Sequence, residues 1–425
     1  MLRGADLRKK RCFVLGLDGM PYSLIENLFH RGSLQNLKKI VKSGKMKRIK
    51  SVYPTVSSVA WTCFATGKQP GETNIFGFTE ADAGTHSIYI PVDTQRKVEN
   101  IWEKLSRKGE RSIVINVPIS YPVKEINGIM VSSFLAPSLE KATYPYDYFK
   151  ELLDYHYELD ADAFLAATNK PGFMKQLLDI MEARFQVCLD LLEKERWVYF
   201  QLNIMETDRM FHFFWDEVQQ EGDVSFHDSI FLFFKRLDEY IKQVFDMLDE
   251  DTVFLLVSDH GFEGVKKEVF LNTWLEDKGY LKYTDAQNKN FFTIAPDSLC
   301  FSLAPGRIYF VAGHNREEMV RHIKQEILKI NIEYGDNIIK DVVSKEELFQ
   351  GRYSSNGPEL LIIPDKGYDF KGEFGNPEVF MKRHFTGMHT FEDAVILGNR
   401  IDIEPVETIC DVYEVILKEI LYESI

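Results

Sequence analysis

The sequence is poor in cysteine. Five residues (Cys12, Cys63, Cys188, Cys300 and Cys410) are scattered along 425 positions, with no CxxC pair. That excludes a disulfide framework and an all-cysteine zinc site, and it fits a reducing compartment. Positive charge is short as well: 51 Lys and Arg stand against 65 Asp and Glu, a formal net charge of −14. A broad, sequence-independent grip on nucleic acid needs the opposite balance. No apolar run approaches the roughly 20 residues that a membrane-spanning helix needs. The run over residues 12–17, behind a basic start, ends at Asp18 and is too short for a secretory signal. No membrane partner and a cytoplasmic location are therefore expected. Repeats and low-complexity tracts are also missing. What remains is ordinary for a globular chain, 45% apolar and 27% charged, and long enough for one large α/β domain or two or three smaller ones. An acidic chain can still handle a phosphate-bearing substrate if a few basic side chains or bound metal supply local positive charge.

Short apolar runs alternate with amphipathic stretches. RCFVLGL (Arg11–Leu17) predicts a strand, and the spacing of Leu24, Ile25, Leu28, Leu34, Leu37 and Ile40 predicts a helix over 22–43. Strands are expected again over 112–118, 197–205 and 252–261, preceded by helices over 100–108, 171–195 and 232–248. AVILG and a closing helix end the pattern. This alternation implies a three-layer α/β fold, a largely parallel central sheet with helices on both faces. A single domain over 1–425 is expected, with two stretches outside the alternation: an insertion over 144–168 and a cap-like excursion over 262–384, where 317–330 is amphipathic.

In an open parallel sheet, ligands collect at the carboxyl ends of the strands. Asp18 follows the first strand. Asp208 follows the third, with His212 four residues on, so a helix there turns both to one side. Asp259-His260 follow FLLVS, and His389 lies just before AVILG. A mixed Asp/His set suits zinc or a similar divalent metal. For a nucleophile, YPTVSSVAWT (residues 53–62) leads into a helix whose first free N–H groups favour an anion. By itself that stretch reads first as a helix cap.

Taken together, FVLGLDGM, YPTVSSVAWTCFATGKQPG, METDRMFHFFW, VSDHGF and GMHTFEDAVILG resemble the alkaline phosphatase superfamily, and most closely its type I phosphodiesterase/nucleotide pyrophosphatase branch. The resemblance implies a binuclear site: Asp208, His212 and His389 for one metal, and Asp18, Asp259 and His260 with the nucleophile oxygen for the other. Zinc is the implied ion, with manganese second. The nucleophile falls on Ser57, with Ser58 and Thr55 as neighbouring alternatives. Lys68, Asn74 and Arg383 are candidates for holding substrate, and Arg209, Lys382 and His384 are further basic candidates. Phe211, Phe213, Phe214 and Trp215 are either an apolar pocket or core.

The sequence departs from the family pattern at Ala60, where many members place an Asn, and at Thr73-Asn74, where His-Gly is usual. The sulfatase pattern of a modified Cys or Ser followed by Pro and Arg is missing. The resemblance therefore implies metal-dependent hydrolysis of a small phosphodiester or pyrophosphate through a phosphoserine on Ser57. The alternatives are a phosphomonoesterase or phosphomutase of the same superfamily, or an inactive metal-binding homologue.

Overall fold

The strand Arg11–Leu17 is buried from Cys12 onward. Its side chains alternate as strand geometry requires: Phe13, Leu15 and Leu17 enter one core layer, and Cys12 and Val14 the other. In the computed structural model, which describes residues 10–82, 87–311 and 316–421, this strand lies in the middle of an eight-stranded sheet. The order from one edge is Lys45–Ile49, Ala394–Asn399, Thr252–Val257, Arg11–Leu17, Tyr199–Ile204, Ser112–Val117, Gly128–Ser132 and Thr143–Tyr144. The run from Thr252–Val257 to Gly128–Ser132 is parallel throughout. Ala394–Asn399 runs against both of its neighbours, and Thr143–Tyr144 against Gly128–Ser132.

Helices cover both faces, as the alternation predicts. Lys170–Lys194, Glu206–Val218 and His227–Met247 pack on one side. Ser57–Thr66, Ile101–Arg107 and Val412–Leu421 pack on the other. The helix expected over 22–43 is two helices, Tyr22–Arg31 and Gln35–Lys42. The break falls at Gly32, which ends the first in the left-handed conformation (φ 82°), a common use of glycine after a helix. Among the described residues no helix is long and apolar enough to cross a membrane.

The stretch 144–168 does not stand apart from the core. Its helix Phe149–Asp154 and the following turn send Tyr148, Leu152 and Tyr157 into the same apolar layer as Phe13 and Phe200. The stretch 262–384 builds sheets of its own. Cys300–Leu303, Arg307–Phe310, Leu360–Pro364 and Ile339–Ser344 form a four-stranded antiparallel sheet. Tyr368–Lys371, Lys267–Phe270 and Phe380–Met381 form a three-stranded one. Leu271, Trp274, Ile308, Ile323, Val342 and Ile362 fill a separate core between them and the helix Arg316–Leu328. This unit is latched to the segment after the helix Pro70–Thr73 by Arg307, fully buried, which donates to the carbonyls of Phe76 (3.1 Å) and Thr79 (2.7 Å) beside the carboxylate of Glu80.

Candidate active site

Three parallel strands end side by side and deliver the carboxylates. Asp18 follows Leu17, and its N–H donates to the carbonyl of Ile204 (3.0 Å). Asp208 sits in the first turn of the helix Glu206–Val218, directly after Tyr199–Ile204. Asp259 and His260 follow Thr252–Val257 by one residue. His389 arrives from far along the chain, because Gly387–Thr390 pairs antiparallel with Gly261–Gly264 and sets His389 opposite Phe262. His212 lies one helical turn beyond Asp208. All six residues implied as ligands thus meet in one place.

Ser57 is the first residue of the helix Ser57–Thr66 and is buried. Its Oγ donates to Asp18 Oδ1 (3.0 Å) and lies 3.3 Å from His260 Nε2. The second Asp18 oxygen accepts from Trp61 Nε1 (2.6 Å), four residues on and so on the same helix face. Thr207 Oγ1 donates to the Asp18 carbonyl (2.6 Å). Sequence reasoning assigned no role to Trp61 or Thr207, although the i, i+4 spacing of Ser57 and Trp61 carried the signal. Ser58 is buried with no partner for its hydroxyl, and Thr55 turns its hydroxyl to the carbonyl of Val52 (3.0 Å). Neither alternative is placed as Ser57 is.

The histidines are oriented alike. Nδ1 faces a backbone carbonyl in each: Gly387 for His212 (3.2 Å), Gly261 for His260 (3.0 Å) and Thr55 for His389 (3.1 Å). A carbonyl only accepts, so Nδ1 carries the hydrogen and Nε2 is left as an acceptor. These Nε2 atoms meet further acceptors. His389 Nε2 is 3.1 Å from Asp208 Oδ1 and 3.0 Å from His212 Nε2. His260 Nε2 is 3.3 Å from Asp259 Oδ2 and 3.6 Å from Asp18 Oδ1. Asp259 Oδ2 is buried and has no hydrogen-bond partner at all.

Acceptors this close repel unless positive charge sits among them, so the donor set fits divalent cations. Among the described residues two groups bring their ligand atoms within 4.8 Å of one another, Asp18–Asp259–His260 and Asp208–His260–His389. His212 borders the second, its Nε2 3.4 Å from Asp208 Oδ1.

The electrostatics agree. Burial, reinforced by Asp259 and Asp208, holds the Asp18 carboxyl well above the carboxylate range. Burial pushes Asp259 up to about 7. Burial acts on Asp208 too, but the facing His212 and His389 outweigh it and hold that carboxyl well below its ordinary value. Burial drives His260 far down the imidazole range and lowers His212. His389 is raised against burial because Asp208 faces it. A nearby positive charge favours the ionised form of a buried carboxyl, and a divalent cation among these residues would supply it.

Over residues 12–392 the sequence matches the type I phosphodiesterase/nucleotide pyrophosphatase model. The chain belongs to this family. Its enzymes are hydrolases acting on phosphoric ester bonds, and the chain is an enzyme of that class. No curated protein sequence matches it. Among solved structures, phosphonoacetate hydrolase from Sinorhizobium meliloti 1021 in complex with phosphonoformate superimposes with a TM-score of 0.69 at 15% identity, over 97% of this chain and 96% of that one. Murine ectonucleotide pyrophosphatase/phosphodiesterase 5, as an inactive variant in complex with AMP, gives 0.61 at 13% identity, over 97% and 95%. At such identities the likeness speaks for the shared alkaline phosphatase-like α/β fold.

Beside His212 and His389 this phosphodiesterase-family chain opens a cavity of about 1190 Å³, walled by residues 53–56, by 388–393, and by Pro305, Ile362, Phe370 and Lys371 from the 262–384 unit. The expected substrate-holding side chains are elsewhere. Lys68 follows the far end of the helix Ser57–Thr66 and pairs with Glu72 (3.8 Å). Asn74 donates to the Gln95 carbonyl and accepts from Asn356. Arg383 is held by Glu268 (2.9 Å) and Glu373 (2.7 Å). None of the three lines the cavity. Phe211, Phe213, Phe214 and Trp215 are buried in the main core and do not line it either. Phe262 does line the cavity, and it packs against all three site histidines.

Proposed function

We propose that this chain is a metal-dependent phosphodiesterase or pyrophosphatase that works through a phosphoserine on Ser57. The observation that carries the reading is the position of Ser57 Oγ, at a helix N-terminus and within 3.0 Å of Asp18 and 3.3 Å of His260. Two divalent cations, zinc first and manganese second, one held by Asp208, His212 and His389 and the other by Asp18, Asp259, His260 and Ser57 Oγ, would supply Lewis acidity and offset phosphate charge.

The chain's own residues supply the rest. Asp18 Oδ1 accepts the hydroxyl hydrogen of Ser57 and so aims the lone pairs of Oγ away from itself. The free N–H groups of the helix Ser57–Thr66 favour the negative charge that gathers near its first turn. Ser57 Oγ attacks phosphorus, the P–O bond to the leaving group breaks, and the leaving group departs with a proton. Water then cleaves the phosphoserine and returns the hydroxyl to Ser57. The three Nδ1–carbonyl bonds hold the imidazoles fixed meanwhile.

The cavity supports a substrate with two substituents on phosphorus or a second phosphoryl group. At about 1190 Å³ it exceeds the ~300–1,000 Å³ of an ordinary small-molecule pocket. A cytoplasmic site of action belongs to the same proposal and rests on five buried, unpaired cysteines. The test is turnover by zinc- and manganese-reconstituted protein on an aryl phosphomonoester, an aryl phosphodiester and a nucleotide pyrophosphate. The diester or pyrophosphate should be cleaved fastest, and Ser57→Ala should abolish cleavage. A preference for the monoester would move the assignment to a phosphomonoesterase.

A further inference from the structure

The two oxygens of Asp208 are used differently. Oδ1 faces the site, 3.1 Å from His389 Nε2 and 3.4 Å from His212 Nε2. Oδ2 turns away and accepts from Arg209 Nη1 (3.1 Å). Arg209 cannot choose this position alone, because a long side chain beside a carboxylate has many rotamers to lose. Its remaining edge is fixed by a fork: Nε and Nη2 donate to the two oxygens of Asp160 at 3.0 and 2.8 Å. Its guanidinium also lies over the ring of Phe134 (5.2 Å).

Asp160 is itself fixed. Arg184, fully buried, donates to Tyr157 Oη and to the Leu159 carbonyl (3.0 Å), and pairs with Glu206 (2.9 Å) at the start of the helix that carries Asp208. Asp160 Oδ1 also accepts from the N–H of Ala161 (2.9 Å). The turn that holds Asp160 and the helix that holds Asp208 are therefore clamped together twice, by Arg184 from below and by Arg209 at the site.

We infer that Asp160 is a positioning residue, acting through Arg209 to present Asp208 to a metal ion by one oxygen. The stretch 144–168 is then a brace for the metal site rather than an ornament on the fold. The inference rests on the metal reading given above. Two effects act in the same direction if the fork is broken. Asp208 loses its fixed orientation, and Arg209, no longer shared with Asp160, competes for Asp208 with its whole charge. Groups that orient metal ligands in this way typically change affinity by about 10–100-fold when altered.

The experiment is competition for zinc ion between the purified full-length chain and a chromophoric chelator, with wild type, Asp160→Asn, Arg209→Lys and the double variant. Asp160→Asn keeps the side-chain shape and loses the charged fork, so it should weaken zinc binding by about 10–100-fold while the metal-free protein melts as wild type does. Lysine cannot make the planar fork, so Arg209→Lys should weaken zinc similarly. The double variant should be no weaker than Arg209→Lys alone, because both changes cut one chain of contacts. Unchanged zinc affinity in Asp160→Asn, or strictly additive losses, would overturn the brace. Zinc uptake by wild type with no effect of either variant would sink the brace and leave the metal site standing. No uptake by wild type would sink both.

Discussion

His212 and His389 hold their Nε2 atoms 3.0 Å apart, although each ring has already given its Nδ1 hydrogen to a carbonyl. Two imidazole lone pairs so placed store repulsion that a shared proton relieves partly and a divalent cation relieves better. Metal binding should therefore stabilise the folded chain. The gain follows from mass action and reaches about 4 kcal/mol when free zinc is near 1,000 times its dissociation constant. Thermal melts should rise with zinc and fall with a chelator, and His389→Ala should remove most of the difference. A melting temperature indifferent to both additions would contradict the metal assignment.

The adjacent serines make a sharp pair. Ser57 reaches Asp18 and His260, whereas Ser58 is buried with an unpartnered hydroxyl. Ser57→Ala should lower kcat by at least about 10³-fold, as loss of a nucleophile does elsewhere. Ser58→Ala should leave kcat within about threefold and hold or raise stability by up to about 1 kcal/mol, since it deletes a desolvated hydroxyl with nothing to bond. Steady-state kinetics and urea unfolding on both variants decide this. The reverse ranking would move the nucleophile by one residue.

The middle of the central sheet was legible because Arg11–Leu17, Tyr199–Ile204 and Thr252–Val257 are short apolar runs with a carboxylate soon after each, and the site was legible because those ends must be neighbours in a parallel sheet. Asp18, Asp208 and Asp259 announce themselves in that way. His389 does not, since its place depends on the antiparallel pairing of Gly261–Gly264 with Gly387–Thr390, a contact across more than a hundred residues. The sheets of the 262–384 unit were hidden for the same reason: the strands of its four-stranded sheet have four to six residues each, too few to show a period. Over 144–168 the buried Tyr148, Leu152 and Tyr157 are diluted by surface Asp and Glu, so no clear period shows there. For the basic candidates the difficulty was of another kind. A sequence shows that Arg209 and Arg383 are charged, but not that Asp160, Glu268 and Glu373 already hold them.

The latch at Arg307 predicts a pH-dependent defect. Burial holds the Glu80 carboxyl above its ordinary value near 4.5, and Arg307 pulls it back down. Arg307→Gln removes that pull, so the carboxyl rises further. A carboxyl raised in the folded state lends its stability fully below its unfolded value and loses it as pH climbs through the folded value. The variant should thus be penalised more at pH 8 than at pH 5. The cost at pH 8 should be about 3–5 kcal/mol, because one partner of a buried pair is left uncompensated. Urea unfolding at the two pH values measures it. An equal cost at both would mean that the loss comes from the other bonds of Arg307, to the carbonyls of Phe76, Thr79 and Ala304 and to Tyr309 Oη, and not from Glu80.

Phe262 offers a test of how the imidazoles are kept in place. Its ring centroid lies 5.0, 5.7 and 5.1 Å from those of His212, His260 and His389. Behind it stand Phe211 at 5.3 Å and Trp215 at 5.8 Å. Gly19 leaves it room: a Cβ there would come within 2.6 Å of the ring, and the backbone is left-handed (φ +66°). The ring offers no ligand atom, so its contribution is to fill space between three imidazoles that must not turn. Phe262→Ala should cost about 3–5 kcal/mol in stability through the void it leaves. Phe262→Leu fills more of that space and should fold well, yet it removes the flat wall shared by the three rings. Its zinc affinity should fall by about 10-fold or more, as when other supports of metal ligands are loosened. Zinc competition on the folded Leu variant isolates this effect from stability. Wild-type affinity there would show that the Nδ1–carbonyl bonds fix the histidines unaided and that Phe262 only packs the core.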